Sequence, residues 1–219
     1  MIPFLGLKEN SDMKTPLSCS LENLPPKLLA AIESELSQSR LSKIHKNRTR
    51  PLYQMACQAI DNIAPNLELT AHELLKFLET DTLLYVSPTD PALYQRQQEI
   101  WFPIHLWLQA HLDIIIPLSE TIAPPSLCEA TLIRVKTYLN TQSIFALAGI
   151  QAATHIAHSL IVAIMMREAA IDAHNAFTAC LLEEITQNAK WGKEELAQAR
   201  QDQVLEDLGV IEDYFCTIR

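Results

Sequence analysis

Glycine is scarce in this chain, with four residues in 219, and the gap excludes several chemistries at once. A phosphate-cradling loop is built from glycines that let backbone amides approach an anion, and no GxGxxG, GxxxxGK[ST] or GxSxG occurs. Cysteine is sparse and scattered. Cys19, Cys57, Cys128, Cys180 and Cys216 never form a CxxC, so neither a disulfide framework nor a zinc site is indicated, and a reducing compartment fits. Positive charge is short too: 17 Lys and Arg face 26 Asp and Glu, for a net charge of -9, which argues against nucleic-acid binding. Long apolar runs are missing as well. The most apolar region, Ile144 to Met166, is broken by Gln151, Thr154, His155, His158 and Ser159, so it reads as a core helix and no membrane insertion is expected. The start, MIPFLGLKENSD, lacks both a basic-then-apolar signal and an Arg-rich amphipathic presequence, which fits a bacterial cytoplasmic or an already processed chain.

What is present is apolar periodicity at steps of three and four, predicting a mainly α protein. Pro25-Pro26 opens a helix with Leu28, Leu29, Ile32 and Leu36 on one stripe, fading near Ser39. Residues 40–50 hold five positive charges without periodicity and read as a loop; Pro51 then starts a short helix to Ile60, and Thr70 caps the next. A strand is expected at Thr82 to Val86, with a strand or extended arm at Ile114 to Leu118. A helix near Pro91 to Leu112 should be interrupted at Trp101-Phe-Pro103, because proline removes an intrahelical hydrogen bond. Further helices are expected from Pro124-Pro125, over Ser143 to Glu168, from the N-cap Asp172 to the Trp191-Gly192 break, and over Glu194 to Thr217.

The stretch CLLEEITQNAKWG, Cys180 to Gly192, sets two adjacent carboxylates on a helix that otherwise looks packed. At about 100° per residue, Glu184 shares an arc with Phe177, Cys180, Leu181, Asn188 and Trp191, while Glu183 points about 100° away, so the two form no catalytic dyad. A carboxylate in an apolar stripe costs several kcal/mol unless paired, protonated or reserved for a partner. Glu184 is therefore expected to be paired within the fold or reserved, and Glu183, with Gln187 one turn on, to lie on an available rim. A helical metal-dependent enzyme using His155, His158, His174 and Glu184 is the alternative from another class. No Glu precedes a histidine by three and HExxH is absent, so neither metal nor cofactor is predicted.

Phe77-Leu-Glu-Thr-Asp-Thr-Leu-Leu-Tyr85, Gln97, Trp101-Phe-Pro103, Leu181-Leu-Glu-Glu184, Gln187 and Trp191-Gly192 together resemble the ATP synthase F(1) complex assembly factor 2 family. The resemblance runs from about Leu67 to the end and persists upstream in Lys14-Thr-Pro16, Leu24-Pro25 and Ala59-Ile-Asp61. The chain departs from the family's Trp-Asp-Pro at Phe102, from its Tyr-Arg at Val86 and from its Glu-Trp at Leu36.

What the resemblance implies is a C-terminal helical chaperone domain over residues 66–219, after a shortened α+β N-terminal region over residues 1–65. It further implies a non-catalytic, monomeric assembly chaperone that holds the free α subunit of the ATP synthase catalytic head, in the bacterial cytoplasm or the mitochondrial matrix. Its client-binding face would comprise Glu183, Glu184, Gln187, Trp191 and Trp101. A divergent binder of another client is the third reading.

Overall fold

The computed structural model describes residues 24–41, 50–192 and 194–219, and the regular elements among them are helical. Residues 1–23, the Lys14-Thr-Pro turn and most of the basic segment over 40–50 lie outside the described residues. Among residues 24–65, expected to be part of an α+β unit, the described elements are α1 (Pro26–Leu41), α2 (Pro51–Cys57), a π-helical turn (Gln58–Ile63) and a 3-10 turn (Ala64–Asn66). Arg50, at the N-cap of α2, supplies no side-chain cap. Instead the Glu35 carboxylate of α1 accepts the orphan amides of Leu52 and Tyr53 at 3.2 and 3.1 Å, which ties the two helices at a right place for both.

The most apolar stretch forms the centre. It is two helices, α6 (Ile144–Ala157) and α7 (Leu160–Arg167), where one was expected. His158 takes a left-handed φ of 50° and ends α6, and the Ser159 hydroxyl then accepts the Val162 amide to start α7. Every residue from Leu160 to Met166 is buried.

Around this pair pack α3 (Leu67–Glu79), α8 (Ala173–Cys180), α10 (Glu195–Thr217) and the α1–α2 segment, all feeding one hydrophobic cluster that includes Leu28, Met55, Leu74, Ala176 and Phe215. Thr70, the expected cap, lies inside α3, one turn past the observed N-cap Asn66. Helix α5 (Glu129–Thr141) begins at Cys128 and not at the Pro124-Pro125 pair.

Close approach in the core depends on one glycine. A Cβ on Gly149 of α6 would lie 2.5 Å from Cε1 of Phe215 and 3.1 Å from Cδ1 of Tyr214, both fully buried on α10. Gly149→Val should therefore overpack the α6–α10 contact and cost roughly 1–3 kcal/mol or more, to be read from urea unfolding. An unchanged midpoint would show that the rings can move aside.

The expected strand at Thr82 to Val86 is a 3-10 turn (Thr82–Leu84) followed by one isolated parallel bridge from Tyr85 to Ser119. Ladder formation stops there because Asp81 bonds back to the Leu83 amide at 3.1 Å, which curls the chain instead of extending it. Helix α4 (Pro91–Leu112) runs uninterrupted through Pro103. Pro103 and Glu99 are both exposed, so the carbonyl robbed of its partner sits on the side open to water, while Trp101, Ile104 and Leu108 face the core.

Candidate functional site

The helix expected over Asp172 to Trp191 is also two: α8 ends at Cys180, and a turn at Leu181 re-aims α9 (Leu182–Trp191). The break sets Phe177 and Cys180 on a different helix from Glu184. The two carboxylates still diverge, and their surroundings differ.

Glu184 is saturated from within the fold. Its Oε2 accepts from Nη1 of Arg200 at 2.9 Å and its Oε1 from Nε2 of Gln201 at 3.0 Å, both on α10. Glu183 turns toward α4. Its Oε1 receives a single long bond, 3.4 Å, from Nε2 of Gln97. That amide is fully buried and already engaged, donating to the Tyr85 carbonyl at 3.3 Å while its oxygen accepts the Ser87 amide at 2.9 Å. Burial pushes the Glu183 carboxyl above its ordinary range, and among the described residues no Lys or Arg pairs with it. Glu183 is thus half-buried where an open rim was expected.

Two more contacts fix α9 on α4. The Arg96 guanidinium donates to the Thr186 hydroxyl at 3.2 Å, and Lys190 pairs with Asp90, the residue whose carboxylate also caps α4 through the Leu93 amide. The Lys190 bond holds the Asp90 carboxyl below its usual range. Gln187 is exposed on α9, and Trp191 is 87% exposed at its end. An indole that open is unusual for a residue that normally sheds water.

Trp101 is the correction to the expected face. It is fully buried, its Nε1–H donating to the Ala179 carbonyl of α8 at 2.9 Å, so it offers no surface to a partner and instead holds α4 on α8 beneath the site.

Sequence reasoning passed over Asp81. This fully buried carboxylate accepts the Ser159 hydroxyl at 2.7 Å, the Ile161 amide at 3.0 Å and the Leu83 amide at 3.1 Å, binding the 3-10 turn to the start of α7. A short polar residue directly before an apolar run, followed by a second one at Ser159, was the available signal. The histidines of the metal alternative do not converge: His155 meets Phe77 edge-on at 5.1 Å, His158 occupies the α6 break, and His174 lies on α8 beside Phe177. Among the described residues no three His, Cys, Asp or Glu side chains are placed to share a metal ion.

Comparison with known proteins adds the decisive relation. The sequence profile of the ATP12 chaperone protein family matches residues 9–109, a span that takes in Asp81, Gln97 and Trp101. Over that span, just under half of its length, the chain is similar to the ATP12 chaperone family. Mitochondrial protein atp12 of Schizosaccharomyces pombe is 25% identical over 131 residues, a match covering 57% of this chain but only 45% of that relative. The crystal structure of Atp12 from Paracoccus denitrificans superposes with a TM-score of 0.80 at 24% identity, over 90% of this chain and 84% of that one. The Atu1473 protein of Agrobacterium tumefaciens superposes with a TM-score of 0.82 at 21% identity, over 89% and 72%. These two likenesses establish the shared, mainly α fold.

Proposed function

We propose that this chain is a member of the ATP12 family and an assembly chaperone for ATP synthase that holds the free α subunit of the catalytic head until its neighbouring subunit replaces the chaperone. The observation that carries the reading is the α9 face: a half-buried Glu183 carboxylate with one long, neutral partner, beside an exposed Gln187 and an exposed Trp191. A carboxylate kept partly desolvated and without a cation partner among the described residues is poised for a basic side chain arriving from outside, and an exposed indole is a strong anchor at protein interfaces.

Such holding requires no chemistry. The chaperone covers an apolar subunit surface, and release follows when the proper neighbour offers better contacts. No described helix is long and apolar enough to cross a membrane, which fits work on unassembled subunits in the bacterial cytoplasm or the mitochondrial matrix.

The test is capture of newly made α and β subunits, in parallel, by the purified chain. Selective capture of α, lost on Glu183→Lys while helix content is unchanged, is expected. Equal capture of both subunits, or undiminished capture by the variant, would overturn the assignment.

A further inference from the structure

Two backbone groups of the extended stretch after the 3-10 turn point toward Ser119, whose N–H donates to the Leu84 carbonyl at 2.7 Å and whose carbonyl accepts the Val86 amide at 2.8 Å. The alternate groups, the Tyr85 carbonyl and the Ser87 amide, point the other way. There the Gln97 side chain of α4 meets both, its Nε2 donating to Tyr85 at 3.3 Å and its Oε1 accepting from Ser87 at 2.9 Å. One carboxamide thus supplies the donor and the acceptor that a residue of a second parallel strand would supply, and it closes that edge.

The backbone leaves this amide one orientation. A carbonyl only accepts and an N–H only donates, so Oε1 belongs to Ser87 and Nε2 to Tyr85. Nε2 carries two hydrogens, and the second reaches Oε1 of Glu183 at 3.4 Å. Gln97 is fully buried, so that hydrogen depends on an acceptor at position 183.

The cations of the surrounding helices are bonded elsewhere. Helices α4, α9 and α10 carry one Lys or Arg each and α8 none: Arg96 donates to Thr186, Lys190 pairs with Asp90 and Arg200 with Glu184. What meets Glu183 is therefore a neutral donor that orders its side chain without cancelling its charge. A carboxylate ordered before a partner arrives loses less side-chain freedom on binding, and more of the ion pair shows as affinity.

We propose that Gln97 is a positioning residue for Glu183: its amide, oriented by the Tyr85 carbonyl and the Ser87 amide, fixes the carboxylate with a neutral partner and keeps its charge for a lysine or arginine of the client. This inference rests on the client-binding reading above. It adds to that reading a reason why a buried glutamine, and not a cation, stands behind the acid.

The test is a double-mutant cycle in the full chain with two readouts, affinity for the α subunit and the NMR resonances of the two Nε2 protons of Gln97. In Glu183→Ala one of these resonances should move while the one bonded to Tyr85 stays. Gln97→Met and Glu183→Ala should each weaken binding roughly tenfold, and the double change should bind no more weakly than Glu183→Ala alone. A glutamine with a merely structural role would weaken binding by the same factor in both backgrounds. Should Gln97→Met not fold, Gln97→Lys serves in its place: it pairs Glu183 from inside the fold, and binding should fall as far.

Losses that multiply in the double change, or undiminished binding by a folded Gln97→Met or Gln97→Lys protein, would overturn the positioning role. Gln97 resonances that ignore Glu183→Ala would overturn the contact on which it is built. Should the unmodified chain bind neither subunit while one Gln97 resonance still follows residue 183, the client assignment fails and the tie from Gln97 to Glu183 stands.

Discussion

Asp81→Ala is expected to lower the unfolding free energy by about 3–5 kcal/mol, because it leaves buried donors without an acceptor. The Ser159 hydroxyl and the Ile161 and Leu83 amides all point at this one fully buried carboxylate. For a domain of this size the loss corresponds to a fall in Tm on the order of 10 °C. Ser159→Ala should cost less, about 1–2 kcal/mol, since it removes a donor and a cap but leaves the carboxylate its amides. Urea unfolding of the three proteins checks the order; equal stability of Asp81→Ala and the parent would mean that the turn relaxes to reach water.

The same residue carries a pH signature. Burial pushes the Asp81 carboxyl up to about 6 in the folded chain, against 3.8 as its ordinary value. The folded state thus binds the proton more tightly than the unfolded state. Stability from this group is fully present below pH ~4 and is lost as pH rises through about 6, up to about 3 kcal/mol for such a shift. Asp81→Ala should consequently trail the parent by more at pH 4.5 than at pH 7.5. His105 works in the opposite sense: burial holds its imidazole down to about 4, so its contribution fades as pH falls below its ordinary 6.5. The parent's own profile is accordingly blunted between pH 4 and 6, and the difference between parent and variant isolates Asp81.

Which features were legible in the sequence follows from how local their causes are. The start of α1 at Pro26, the N-cap at Asp172 and the span of α10 all depend on residues within one or two turns, and each appears where proline, a short acceptor or apolar spacing placed it. The α6–α7 break did not announce itself, because apolar residues dominate on both sides of it and a histidine at positive φ is a rare stop. Glu184 could be singled out as a carboxylate needing an explanation. Its explanation lies 16 residues on, across the Gly192 corner, and that of Glu183 lies 86 residues back on α4, distances that no spacing rule spans. Trp101 shows the same limit in reverse: the family resemblance implied a place on the client-binding face, and only the packing of α4 on α8 reveals it as interior.

Trp101→Ala should be as damaging as any single change in the chain, and its effect should reach the α9 face that the residue never touches. Removing a fully buried indole costs roughly 3–5 kcal/mol through lost burial and the cavity left behind. Trp101→Phe separates the two parts of that effect, keeping most of the ring but leaving the Ala179 carbonyl without its 2.9 Å donor, at about 1–3 kcal/mol. Ala179 stands one residue before the end of α8 and three before α9 begins, so loss of this tie loosens the support on which Glu183 meets Gln97. Client capture by Trp101→Phe should therefore weaken under conditions where the variant remains folded, with the Glu183–Gln97 contact as the route. Capture unchanged in a folded Trp101→Phe protein would separate the core tie from the binding face and confine Trp101 to stability alone.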